Sequence, residues 1–340
     1  MSLASSLWAL AGVAARRPKG LRGDDTIPSI VKARVIDIDA AWLRDYRQSV
    51  GAVDDGCLPP AAPQVLAAPL HTAILGDARF PLPAPGMVHV NNRIDELAAI
   101  SATARLHVRA SVEGHQQHER GVTFNIVTTV HVEGALVWTS TMTALVRTKT
   151  QATDKPKKTR ETAASMATLS SSVVRVPADQ GRRYARVSGD ANPIHLTAIT
   201  AKALGFPRAI AHGMWTLART LSEVDDALPA RPRRIDVRFV RPVLLPSSMV
   251  IEARPRGPSF ADMGVAVQPS SRTCRSVKAA TTKRRLSQRT GSPVPTQCRL
   301  VMTRSCGSEW SRTQRAAAIW SRDTASGLLA ATGPMLGTAS

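Results

Sequence analysis

Apolar and polar residues follow two alternating rhythms along this chain, and both rhythms occur twice. In the first zone, from about residue 30 to 150, period-2 alternation predicts strands over 31–38, 87–94, 104–112, 122–133 and 136–146. The last two are dense in Val, Thr and Ile and are joined by a Glu133-Gly134 turn. In the second zone, from about 172 to 256, the same reading predicts strands at 173–176, 234–240 and 249–253. Each zone follows its first strand with a tyrosine-bearing helix start, Asp45 to Gly51 in one and Arg183 to Gly189 in the other. Further on, Met214, Leu217, Ala218, Leu221 and Val224 recur at spacings of three and four, which predicts a helix beginning near Gly213. The chain therefore reads as an internal repeat.

The repeat is asymmetric at its end. The first zone closes with a clear strand pair, whereas beyond Gly257 the chain is a mixture of Ser, Thr, Arg, Ala and Pro without sustained period, with Val265 to Val267 a strand fragment at most. Two explanations compete: an irregular or disordered tail, or a change of reading frame near Gly257. Three of the four cysteines and two of the six tryptophans (Trp310 and Trp320) fall in this tail, which favours the second. The organisation read from the sequence is a leader at 1–29, a first repeat at 30–150, and a Lys, Thr and Pro-rich linker at 151–171. A second repeat at 172–256 and a basic tail at 257–340 complete it.

Composition narrows the class. At 340 residues with 43% hydrophobic content the chain can bury two cores. No stretch reaches the about 18 to 20 consecutive apolar residues of a membrane helix, and the apolar run from Leu3 to Ala15 is read as an amphipathic leader rather than a secretory signal. Cys57, Cys274, Cys298 and Cys306 have no metal-ligand spacing, so a cytoplasmic setting is expected. The net charge of +20 invites a nucleic-acid reading. Much of it lies after Gly257, where twelve Lys and Arg face three acidic residues, and only 4% of the chain is aromatic. No basic stretch is interleaved with stacking aromatics, so nucleic acid is not the expected partner.

Chemistry concentrates in one segment: Ser188-Gly189-Asp190-Ala191-Asn192-Pro193-Ile194-His195, then Gly205-Phe206, then Ala211-His212-Gly213-Met214. Gly189 and Asn192-Pro193 break regular structure, so Asp190 to His195 is expected on a bent loop outside any helix. A carboxylate and an imidazole across such a bend can face one small volume and handle a water molecule. Asn192 can steer the loop by bonding its backbone. Gly213 at a helix start offers free N–H groups to developing negative charge. His212 is read as a structural residue that bonds backbone, with no acid or base role.

Tyr184-x-x-x-Ser188-Gly189-Asp190-x-Asn192-Pro193-Ile194-His195, followed by Gly205-Phe206 and Ile210-Ala211-His212-Gly213-Met214, resembles the signature of MaoC-like dehydratases, the hydratase-2 group of (3R)-specific enoyl-CoA hydratases. The resemblance covers roughly residues 30 to 256, the preceding half being similar to the degenerate first repeat of two-domain members. It implies an α+β double hotdog, two units each with a helix wrapped by an antiparallel sheet. It also implies that Asp190 and His195 activate the water added to C3 of a trans-2-enoyl thioester, that the Gly213 N–H holds the thioester carbonyl, and that Asn192, Ser188, Gly189, His212 and Met214 surround them. No metal or prosthetic group is implied; coenzyme A or acyl carrier protein arrives as part of the substrate. The Pro- and Ala-rich Ala52 to Pro85 region becomes a non-catalytic roof over the acyl chain, or simply a structural half. Lys202, Arg208, Arg238 and Arg241 are candidates for coenzyme A phosphates, with a solvated surface role preferred for each. A homodimer is compatible with this fold.

Two alternatives stand beside an active hydratase or dehydratase. A hotdog unit lacking its last strands is a damaged or inactive protein that at most binds acyl thioesters. A basic nucleic-acid binder would show a steep salt dependence.

Overall fold

The long strands show why the sequence folds as it does. In β3 (Arg105–His118) Leu106, Val108, Ala110 and Val112 are buried while Arg105, His107 and Arg109 face solvent, so one side of the ribbon joins a core. The structure, a computed structural model, describes residues 18–21, 25–83, 87–147, 170–228, 230–255, 263–270 and 296–302. Most of the leader, the linker up to residue 169 and most of the tail lie outside the described residues.

The first repeat runs β1 (Val31–Asp37), α1 (Ala40–Val50), α2 (Ala62–Leu66), α3 (Ala68–Leu75), β2 (Val88–Glu96), β3, β4 (Gly121–Val132) and β5 (Ala135–Arg147). The second runs β6 (Ser170–Val176), α4 (Gln180–Ser188), α5 (Pro193–Leu196), α6 (Ala198–Ala203), α7 (Gly213–Glu223), β7 (Arg233–Phe239), β8 (Ser247–Pro255), β9 (Met263–Ser270) and β10 (Thr296–Met302). Asp39 caps α1 by accepting from the N–H groups of Ala41 and Trp42, at 2.8 and 3.3 Å. The Ala52 to Pro85 region supplies core: Ala61, Ala62, Val65, Leu70, Ile74, Phe80 and Leu82 are all buried.

All ten strands form one sheet in the order β1-β3-β4-β5-β2-β7-β10-β9-β8-β6. The two halves have the same internal order and meet where β2 and β7 pair antiparallel, Ile94 opposite Ile235. The inward faces of the strands and the buried faces of α3 and α7 share one continuous core, the arrangement of a double hotdog. Ion pairs line the seam. Buried Glu96 on β2 accepts from Arg231 at 2.6 Å and from buried Arg233 at 2.5 Å, and Asp95 accepts from Arg234 at 2.5 Å. Among the described residues, no helix is long and apolar enough to cross a membrane.

The second repeat departs from the sequence reading. Beyond Gly257, where no strand pair was expected, the sheet continues through β9 and β10. Val265 and Val267 of β9 are buried, an alternation too brief to stand out in the sequence. β10 also breaks the pattern of the first half. It pairs parallel with both β7 and β9, where its counterpart β5 pairs antiparallel with β2 and β4.

Candidate active site

The segment from Ser188 to His195 is built by short-range hydrogen bonds. Gly189 ends α4 in the left-handed region at φ 71, where a side chain would be strained, and turns the chain out of the helix. The Asp190 N–H then donates to Ser188 Oγ at 3.2 Å, and the Asn192 N–H to Asp190 Oδ1 at 3.1 Å. Asn192 Oδ1 in turn accepts from the Ile194 N–H at 3.3 Å. That last bond makes Asn192 the N-cap of the single-turn helix α5, with Pro193 at its first position. His195 therefore sits in a short helix, not in the irregular loop expected from the sequence. The Asn-Pro pair starts a helical turn here, while the previous helix has already ended at Gly189.

The tautomers of the histidines follow from their partners. His195 Nδ1 lies 2.8 Å from the carbonyl oxygen of Ile210, which can only accept. Nδ1 therefore carries the hydrogen and Nε2 keeps its lone pair. His212 uses the opposite nitrogen, with Nε2 2.9 Å from the backbone carbonyl of Asp190 and 3.8 Å from its Oδ2. The two rings stack at a centroid separation of 3.7 Å and an angle of 25°. His212 thus ties the Asp190 backbone to the start of α7, the kind of backbone bond read from the sequence, and stacks its ring on that of His195.

Burial and charge set the protonation states. Desolvation pushes the Asp190 carboxyl up, but the imidazoles of His212 and His195, the Asn192 N–H and His89 outweigh it and hold it below the usual carboxylate range. Desolvation lowers His195, against the opposing pull of Asp190 and the Ile210 carbonyl. His212 is brought down to about 4 by burial and by His195, with Asp190 opposing. At neutral pH the cluster holds one carboxylate and two uncharged imidazoles. Asp190, His195 and His212 each offer a ligand atom within 4.8 Å of the others. Stacked rings aim their nitrogen lone pairs along nearly parallel planes, which fits a shared tetrahedral ion poorly.

The helix start behaves as the spacing predicts. Gly213 opens α7 after His212, and the first helical bond is Thr216 N–H to the His212 carbonyl at 3.0 Å. The N–H groups before it have no partner within the helix, and the helix dipole is positive at this end. A Cβ on Gly213 would meet the Phe239 ring at 3.1 Å, so this is a close approach that glycine eases. Met214 receives the Asn92 amide at 3.9 Å on its sulfur, a contact from β2 of the other repeat. A cavity of about 40 Å³ lined by Val53, Leu58, Leu221 and Arg231 opens at the opposite end of α7, away from this cluster. Of the candidate phosphate-binding cations, Lys202 is exposed, while Arg208 donates to the Pro246 carbonyl at 3.3 Å.

Several residues of the site escaped the sequence reading. A Cβ on Gly181 would come within 1.8 Å of the His195 carbonyl oxygen, so α4 packs directly on the backbone of His195. The signal was present: with Tyr184 aligned to Tyr46, Gly181 falls opposite Leu43, a core residue of the first repeat. Asn92, His89 and Phe239 gave no local signal, because they arrive on strands far away in sequence.

Comparison with known proteins agrees with this picture. The family profile described as "MaoC like domain" matches residues 148–265. The chain is 33% identical over 225 residues to 3-hydroxyacyl-thioester dehydratase X of Mycobacterium tuberculosis, covering 66% of this chain and 80% of that protein. A crystal structure of HtdX from M. tuberculosis superposes with a TM-score of 0.60 at 28% identity, over 71% of this chain and 94% of the other. A MaoC-like dehydratase from Phytophthora capsici shares the fold at a TM-score of 0.55 and 17% identity, over 68% and 86% of the two chains.

Proposed function

We propose, from the premise that this chain belongs to the MaoC-like dehydratase family, that it interconverts trans-2-enoyl thioesters and (3R)-3-hydroxyacyl thioesters of coenzyme A or acyl carrier protein. The observation that carries the reading is the His195 tautomer: with Nδ1 committed to the Ile210 carbonyl, Nε2 keeps a lone pair beside an ionised Asp190.

In the hydration direction a water is oriented by the Asp190 carboxylate and His195 Nε2. Its oxygen forms a bond to C3 as one of its protons passes to His195. The C2=C3 π electrons move toward the thioester, whose oxygen gains negative charge beside the Gly213 N–H at the positive end of α7. The proton then returns to C2 on the same face, completing syn addition of H and OH. Dehydration is the reverse path. Both directions need only these side chains; coenzyme A or the carrier protein belongs to the substrate.

Incubating the purified chain with crotonyl-CoA, and resolving the product by chiral chromatography, tests this. The expected product is (3R)-3-hydroxybutyryl-CoA, lost in Asp190→Asn and His195→Ala. A (3S) product, or turnover unchanged in both variants, overturns the assignment.

A further inference from the structure

The single-turn helix that carries His195 leads straight into a bared surface. In α6 Ala201 is buried, whereas Ile199 is 82% exposed, with Ala198, Lys202 and Ala203 exposed beside it. Spacings of three and four put Ile199, Lys202 and Ala203 on one side of the helix. Leu204, just past its end, is 49% exposed. Single exposed apolar residues are ordinary, but adjacent ones rimmed by polar groups mark a place where something binds. The element is firmly held: Thr197 Oγ1 accepts from the Thr200 N–H at 3.1 Å, and Thr200 Oγ1 donates to the Pro193 carbonyl at 2.6 Å. Ile199 is thus fixed facing outward.

The charge around it has one sign. Arg182 of α4 donates to the Leu196 carbonyl at 3.0 Å, beside the start of α6. Lys202 lies on α6, and Arg208 follows it, donating to the Pro246 carbonyl at 3.3 Å. All three are exposed, and among the described residues none of them forms an ion pair. Between Asp190 and Glu223 the sequence contains no acidic residue. Apolar side chains among unpaired cations complement a protein face that sets apolar residues among carboxylates.

The position suits delivery of a substrate. Ile199 follows His195 by four residues, so their Cα atoms are at most about 14 Å apart. That is shorter than an extended phosphopantetheine arm, so a protein seated on α6 can pass a thioester to His195 while staying outside. The phosphates of coenzyme A would use the cations and leave Ile199 and Leu204 bare.

We propose that α6 and the cations around it form a docking surface for an acidic acyl carrier protein, which presents the substrate on its phosphopantetheine arm. This rests on the dehydratase reading above and names which of its two carriers the surface receives.

Kinetics with three substrates tests it. The full-length chain is given crotonyl groups on pantetheine, on coenzyme A and on a purified bacterial acyl carrier protein. At about 50 mM salt, kcat/KM for the protein-borne substrate is expected to exceed that for crotonyl-pantetheine at least about 10-fold, the advantage shrinking toward about 300 mM. Ile199→Asp and Lys202→Glu are each expected to lower the protein-borne value about 10-fold through KM. Crotonyl-pantetheine should stay within about 2-fold in both, which shows that they fold. No advantage for the protein-borne substrate, or an advantage that both variants keep, overturns the docking surface. A loss in Lys202→Glu shared equally by crotonyl-CoA assigns the cations to nucleotide phosphates and also overturns it. So does an Ile199→Asp chain that turns from dimer to monomer by light scattering with its protein-borne kinetics intact, since the face then belongs to a second copy. Turnover of crotonyl-pantetheine without a carrier advantage sinks this inference alone. If none of the three thioesters reacts, the dehydratase reading fails with it.

Discussion

Aligning Tyr46 with Tyr184 sets the two repeats side by side. Gly51 then falls on Gly189, and both are left-handed at φ 71 at the end of their helices. The next position is Ala52 in one repeat and Asp190 in the other, and five residues later Cys57 stands where His195 does. The turn is thus shared and the chemistry is not. Inside the helix, Leu43 is a core residue of the first repeat, whereas Gly181 leaves room for the backbone of His195 to pack against α4. The loop that carries Asp190 and His195 needs room: the neighbouring helix gives way at Gly181 in one repeat, and Leu43 fills the matching space in the other.

The outer strands differ in the opposite sense. β4 and β5 pair antiparallel from Gly121 to Val132, while β9 and β10 pair parallel and only from Met263 to Val267. The repeat that carries Asp190 and His195 has the less regular sheet. A parallel strand in a slot built for an antiparallel one fits a segment foreign to the fold, as a change of reading frame near Gly257 would produce. Resequencing the gene across that codon is expected to give an alternative frame encoding two alternating strands. An uninterrupted frame in independent isolates would remove the idea.

The comparison can be broken at several places. The largest effect is expected from the Asp190 loop: Asp190→Asn lowers kcat/KM about 10³-fold, read by steady-state turnover of crotonyl-CoA. At the seam, Glu96→Ala removes the carboxylate that accepts from both Arg231 and buried Arg233 and should cost about 3 to 5 kcal/mol of stability, read by urea denaturation. A smaller loss would mean that the two halves are held mainly by apolar packing. Gly181→Ala pushes on the His195 carbonyl and should lower kcat about 10²-fold. The matching change Leu43→Ala should cost about 2 to 5 kcal/mol and leave turnover per folded molecule intact. Similar kinetics for both would erase the proposed division between the repeats.

The smallest effect is spread over both halves. Burial lowers His71, His89 and His212 to about 4, whereas in the unfolded chain they titrate near about 6.5. Between those values the unfolded state binds more protons, so stability falls as pH drops from about 6.5 to about 4. Thermal melts across that window should show Tm decreasing toward acid. His71→Gln and His89→Gln should each flatten the slope, and a slope unchanged in both would contradict burial of neutral rings.

The helix starting at Gly213 and the proximity of Asp190 to His195 were legible because each depends on neighbours within a few residues. Gly189 and Asn192-Pro193 set their turns locally, and a period of 3.6 or 2 is a property of a short window. β9 was missed because its two buried valines are too short a pattern to outweigh the Ser- and Arg-rich composition around them.

By itself the sequence determined the chemical inventory and the local bends that carry it. The tertiary structure decided which nitrogen of each histidine holds a proton, because the carbonyls of Ile210 and Asp190 that choose it are brought there by folding. It also decided that α4 packs at Gly181 against the backbone of His195. Side chains from the two repeats meet across the paired strands and between the helices, as where Trp42 Nε1 donates to the Val187 carbonyl, and no window of local sequence encodes such contacts.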